Sequence, residues 1–228
     1  NDSYKLALRV SSKSLEKNDS LMQDLMLRTI NESNFVETNR IKELLEFISA
    51  DNEKSVIQNG HILAMSNAAS QISNIAATND LTSGLKFIHN TNNLNKIVND
   101  KNEFKIYLDA LHSIKNKLSN SPSHLFTASS LDQNDLKLKS IFNSDSIDLN
   151  NQNFIGKQKN SIGWITGSQV CFCAEAFPSV DTKHEDAPAL TVLGAVLRNG
   201  YLHSAIREKG GAYGSGASQD SNNKVFKF

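Results

Sequence analysis

From Thr38 to Leu118 the apolar residues keep returning at helical spacing, and that rules out a mainly β fold. In "TNRIKELLEFIS", Ile41, Leu44, Leu45 and Ile48 fall at i, i+3, i+4 and i+7, with Thr38 or Asn39 available as a cap. "FKIYLDALHSIKNKL" repeats the pattern through Phe104, Tyr107, Leu108, Leu111, Ile114 and Leu118. Upstream, Leu21, Met22, Leu25 and Met26 predict a helix over "NDSLMQDLMLRTI", capped by Asn18, Asp19 or Ser20. Gly60 is expected to separate the second helix from "HILAMSNAASQIS", where Ile62, Met65, Ala69 and Ile72 share a face and Ala64 and Ala68 form a flat one. "LTSGLKFIHNTNNLNKIV" predicts a short helix, an Asn-rich break and a further turn.

Alternating segments frame these helices. "YKLALRV", "SPSHLFTAS", "QVCFCAEAF", the stretch from Ala212 and "KVFKF" each predict a strand. "LDQNDLKLKSIF" predicts a helix, as does "EDAPALTVLGAVLRNG", with Pro188 in its first turn and Gly200 past its end. A further helix carries Leu202, Ala205 and Ile206. The polar stretch 143–163 has no sustained period and predicts a linker. The sum is an α+β pattern.

Lys plus Arg equals Asp plus Glu at 24 each, which gives no support for nucleic acid or an anionic membrane as a partner. No apolar run approaches the ~20 residues of a membrane span. Cys171 and Cys173 alternate in an expected strand, so they predict two buried thiols rather than a disulfide. The opening "NDSYKLALRV" shows no targeting signal, and the close on "NNKVFKF" stops inside a strand pattern with its edge unprotected, so a segment of a longer protein is expected.

The usual catalytic patterns are missing. His61, His89, His112, His124, His184 and His203 are scattered, and neither H-E-x-x-H nor H-x-x-E-H occurs; "KHEDAP" has proline where a second ligand would stand. There is no G-x-S-x-G elbow and no P-loop lysine, and "KGGAYGSG" lacks the aromatics of an RNA-binding strand.

One stretch stands apart: "IREKGGAYGSGAS", residues 206–218, where a helix runs into two glycines and an expected strand. Its plain reading is a basic helix end favoured by the dipole, a glycine cap and a half-buried tyrosine. Its functional reading is a peptide-binding edge. Gly210 and Gly211 permit close backbone approach, Ala212 begins a strand along which an extended peptide lies, Arg207 reaches a carbonyl or carboxylate, and the Tyr213 hydroxyl donates to a carbonyl oxygen.

"LHSAIREKGGAYGSGAS", preceded by "QVCFCAEAF" and "APALTVLGAVLRNGYL", resembles the C-terminal half of zinc metallopeptidases of the pitrilysin/insulinase family, in the presequence-protease-like branch. "YKLALRVSSKSLEKNDSLMQDLMLRTI", "NFVETNRIKELLEF" and "QNGHILAMSNAAS" resemble that branch's third homologous domain. The resemblance implies antiparallel sheets each with a helical layer. Residues 1–143 are then most of the third peptidase-homology domain, 144–163 a linker, and 164–228 a truncated start of the fourth. It implies a zinc-bound water as the attacking group, with the zinc held by an absent N-terminal half of the same protein and none bound by this chain. Tyr213 and Arg207 become substrate and transition-state contacts, with Gly210, Gly211 and Ala212 beside the peptide. The implied partners are that N-terminal half and an unstructured peptide substrate, with no nucleic acid and no membrane. The implied compartment is the cytoplasm in a bacterium or an organelle matrix in a eukaryote. This fragment alone is expected to be inactive. The alternative is a non-catalytic structural homologue, a scaffold subunit of a larger complex. A free-standing peptide-binding module is disfavoured by the unfinished strand.

Overall fold

The computed structural model describes residues 7–128 and 161–228. Helices dominate, joined by a small three-stranded antiparallel sheet, so the chain is α+β. In order they are α1 (Asp19–Glu32), α2 (Thr38–Ser70), α3 (Asn74–Ser83), α4 (Leu85–Ile97), α5 (Lys101–Ser119), β1 (Ala176–Pro178), α6 (Ala187–Leu197), a π-helical segment (Arg198–Lys209), β2 (Ser218–Asp220) and β3 (Val225–Lys227). Two compact units emerge: the described residues of Asn1–Glu43 with Ile97–Asn151, and those of Leu44–Lys96 with Gln152–Phe228.

In the first unit, α5 starts on Asp100, whose carboxylate accepts from the backbone N–H groups of Asn102 and Glu103 at 2.8 and 3.0 Å. Phe104 is its buried anchor, stacked with Tyr107 and covered by the Lys42 ammonium 5.1 Å from its centroid. Burial pushes the Tyr107 phenol above its ordinary value. Lys115 donates to the carbonyls of Asn31 and Ser33, closing the C-terminal end of α1 with a cation where the helix dipole favours one. The apolar stripe of α5 fades toward its end, where Ile114 and Leu118 are exposed.

In the second unit, α2 does not break at Gly60 as expected; it kinks at Asn59 (φ −119°, ψ 20°) and continues. The buried face is also not the apolar one of Ile62, Met65, Ala69 and Ile72. Gly60, Leu63, Asn67 and Ser70 are buried instead, while Ile62 is exposed. Gly60 is there because the Phe172 ring lies on it: a Cβ would overlap the ring edge. The Asn-rich break expected in α4 is absent. Asn90, Asn92 and Asn93 ride within the helix, with Asn92 accepting from Ser49 at 2.8 Å. The real break is Gly84, between α3 and α4.

The sheet order is β1-β3-β2, so "KVFKF" is the central strand rather than an open edge. Ala176 pairs with Lys227 on one side of it and Ser218 with Lys227 on the other. Val225 is fully buried, with Ala69, Ala76, Ile72 and Ala176 around it. The other strands are shorter than expected. "QVCFCAEAF" is reduced to Ala176–Pro178, prolonged by paired backbone bonds between Glu175 and Phe228. Cys171 and Cys173 are free and exposed rather than buried, because it is Phe172 between them that turns inward. Residues 7–10 and 121–128 form no strand, since each lacks a neighbouring strand to pair with among the described residues; Phe126 is 94% exposed. The expected helix "LDQNDLKLKSIF" and most of the linker lie outside the described residues.

Candidate functional site

Asp186 precedes α6, and Pro188 sits in its first turn, as the spacing predicts. Gly194 lets the helix rest on the backbone of Ala217 and Ser218, where a Cβ would stand 3.1 Å from the Ala217 carbonyl. Gly200 does not end the helix. The chain continues from Arg198 to Lys209 in the wider π geometry, which is uncommon and frequent at functional positions.

The two glycines that stop it do so for different reasons. Gly210 is packed from below: a Cβ would lie 2.6 Å from the Ile206 carbonyl oxygen and 3.2 Å from that of Ala205. Gly211 is in open space but adopts φ +70°, the left-handed region. The closing bonds run from the Gly211 N–H to the Arg207 carbonyl and from the Ala212 N–H to the Ile206 carbonyl, both 3.1 Å. Each spans one residue more than in an α-helical Schellman closure, as the wider turn demands.

After this reversal, residues 212–217 are not a strand; pairing resumes only at Ser218. Tyr213 is 94% exposed rather than half-buried, so it packs on no neighbour. Arg207 is exposed too. Among the described residues neither side chain has a hydrogen-bond or ion-pair partner, whereas the adjacent Glu208 is engaged with His203 at 3.4 Å. The junction thus holds a guanidinium and a phenol on one helix end, both available to a ligand, with the N–H groups of Gly211 and Ala212 already committed.

Downstream, the β2–β3 hairpin anchors the loop. Asp220 accepts from Lys227 Nζ and Asn223 Nδ2, each at 2.8 Å, and from the Asn223 N–H at 3.1 Å. Burial alone would raise the Asp220 carboxyl, but these hydrogen bonds and the Lys227 charge outweigh it and hold it below its ordinary value. Lys224 closes the turn at φ 55°. Gln219 ties β2 to the end of β1 through Ser179 and the Val180 carbonyl.

Residues 1–94 match the family model for the peptidase-associated region of metallopeptidase family sixteen, subfamily C. The whole chain is similar to the mitochondrial presequence proteases of Eremothecium gossypii (25% identical over 98% of this chain and 24% of that protein) and Drosophila melanogaster (26%, over 99% and 22%). The chain carries a presequence-protease-like region of the pitrilysin family. It is also similar to an uncharacterized protein of Borreliella burgdorferi, 27% identical over 100% of this chain and 23% of that one. The region is therefore peptidase-related, and it spans about a quarter of the length of the relatives it matches.

A zinc site does not fit the described residues, since no three His, Cys, Asp or Glu side chains come together among them. The histidines serve local structure: His112 meets Phe35 edge-on, His89 pairs with Asn93, and His184 accepts from the Asp186 N–H. No helix among the described residues is long and apolar enough to cross a membrane. Sequence reasoning passed over one polar cluster, Asn67 with Asp80, both buried. Its only trace in the sequence is an aspartate set among small residues in "NIAATNDLTSG".

Proposed function

We propose that this region serves as the C-terminal, substrate-contacting part of a zinc-dependent peptidase that degrades unstructured peptides. Its longer polypeptide supplies the metal site from an N-terminal half, and the two parts close a chamber around the peptide. Residues 1–143 and 164–228 belong to successive homologous domains, with 144–163 between them. The compartment follows the host: an organelle matrix in a eukaryote, the cytoplasm in a bacterium.

The observation that carries this reading is the pairing of Arg207 and Tyr213 across the Gly210–Gly211 reversal, both exposed and uncommitted. The Tyr213 hydroxyl donates to the scissile carbonyl oxygen as negative charge develops there. The Arg207 fork anchors a peptide carbonyl or carboxylate. Because the N–H groups of Gly211 and Ala212 close the helix, main-chain bonding to the peptide falls to carbonyls. The exposed Val192, Leu193 and Val196 of α6 fit a helix covered by other parts of a larger molecule.

Two measurements test the proposal. Metal analysis of the dialysed 228-residue chain should find no stoichiometric zinc, and a peptide-cleavage assay should find no activity; one tightly held zinc per chain would overturn the division of labour. In the longer protein, Arg207→Lys keeps the charge and loses the planar fork, so binding and turnover should both weaken. Unaltered kinetics would remove Arg207 from the site.

A further inference from the structure

A second polar feature of this unit lies apart from the Arg207–Tyr213 junction. Asp80, in α3, is fully buried, and its Oδ2 accepts from Asn67 Nδ2 at 2.9 Å. Lys86 Nζ stands 3.8 Å from the same oxygen. The other oxygen, Oδ1, is buried and has no partner among the described residues. Gly84 closes over it so tightly that a Cβ there would overlap the oxygen. Taking a carboxylate out of water is costly unless its contacts repay it. This carboxylate has an effect on its neighbour. An amide whose NH₂ faces a carboxylate cannot turn over without bringing oxygen against oxygen, so Asp80 fixes which way the Asn67 amide points. The amide oxygen is thereby aimed at the Trp164 indole, whose Nε1 donates to it at 3.2 Å. The indole also meets His89 edge-on at 5.7 Å.

We infer that Asp80 and Asn67 form a positioning relay that latches Trp164, and with it the segment leading into β1, onto α2, α3 and α4. The latch has two points. The first is the indole on Asn67; the second is the Phe172 ring seated on Gly60 and near His61. No residue between the two rings is buried, and Ile165 and Val170 are exposed. The segment is therefore held at its ends, and the acid–amide pair decides whether the first end is held. The inference rests on these contacts and stands apart from the functional reading of Arg207 and Tyr213.

Trp164 is the single tryptophan of the chain, so its fluorescence reports the latch alone. Asn67→Leu removes the indole's acceptor while keeping a side chain of similar size. Its emission should shift to the red and acrylamide quenching should rise toward that of a free indole, with helical circular dichroism retained. Lys86→Met leaves the amide relay in place and should leave the emission where it is. If Asn67→Leu does not fold, Trp164→Phe decides: it keeps a ring and removes only the N–H. Hydrogen exchange over residues 165–175 should then quicken by up to about tenfold, the net worth of one hydrogen bond. Native emission in a folded Asn67→Leu chain, or unchanged exchange in Trp164→Phe, would overturn the relay.

Discussion

Two helix ends in the second unit stop on glycine, and they leave opposite surroundings. At Gly84 the glycine is needed because a buried carboxylate fills the space a side chain would take, and the nearby polar groups are drawn into internal bonds. At Gly210–Gly211 the glycines are needed for backbone reasons alone, and the polar side chains around them point outward. The first junction uses its chemistry to hold the unit together. The second withholds its arginine and tyrosine from the fold. A side chain that contributes nothing to its own fold is where a ligand contact is to be sought.

That contrast makes graded predictions. The largest loss of stability should come from Gly84→Ala, where a methyl group must displace the Asp80 carboxylate; overpacking of this kind costs roughly 1–3 kcal/mol. Denaturant unfolding checks it, and a neutral result would mean that Asp80 moves freely and the first junction is not tight. Next, Asp220→Ala should cost about 2 kcal/mol, because it leaves Lys227 unpaired and opens the β2–β3 turn. The same carboxyl predicts a pH dependence. Its folded value lies below its unfolded one, so its contribution is complete above the ordinary carboxylate value of about 3.9 and disappears as pH falls through the lower folded value. Unfolding curves of the parent chain and Asp220→Asn should therefore converge in that acid window. Gly211→Ala places a side chain at φ +70° in open space, and should cost only ~1 kcal/mol. Smallest is Tyr213→Phe, which should alter stability by less than about 0.5 kcal/mol, since the ring touches nothing that its hydroxyl supports. A large loss there would erase the contrast between the junctions.

The sequence disclosed these two places unequally. The Gly210–Gly211 reversal was legible because glycine pairs after a basic helix end have few structural uses, and the positions of Arg207 and Tyr213 follow from counting. The class of fold was legible too, from the long helical period. The Asp80 cluster was not. A periodicity reading ranks faces by apolar content, so it chose Ile62, Met65, Ala69 and Ile72, whereas the buried face runs through Gly60, Leu63, Asn67 and Ser70. What buried Asn67 and Asp80 was their mutual bond, which no single-residue scale contains. The asparagines of α4 misled for the related reason that their turn preference is local, and it yields when Ile88 and Leu85 pack against Leu63. Strand lengths failed because alternation shows where a strand fits and not whether a partner reaches it. β3 became central through neighbours on both sides that its own sequence does not reveal.

The central claim is that the Tyr213 hydroxyl works on the substrate and not on the fold, and one measurement addresses it directly. Turnover, peptide affinity and melting temperature should be determined for Tyr213→Phe in the longer protein proposed above. With a hydroxyl that bonds the carbonyl oxygen mainly in the transition state, turnover falls by roughly 10²–10³ while affinity and melting temperature hold. Turnover equal to the parent's would contradict the account and leave the junction a helix end followed by a loop.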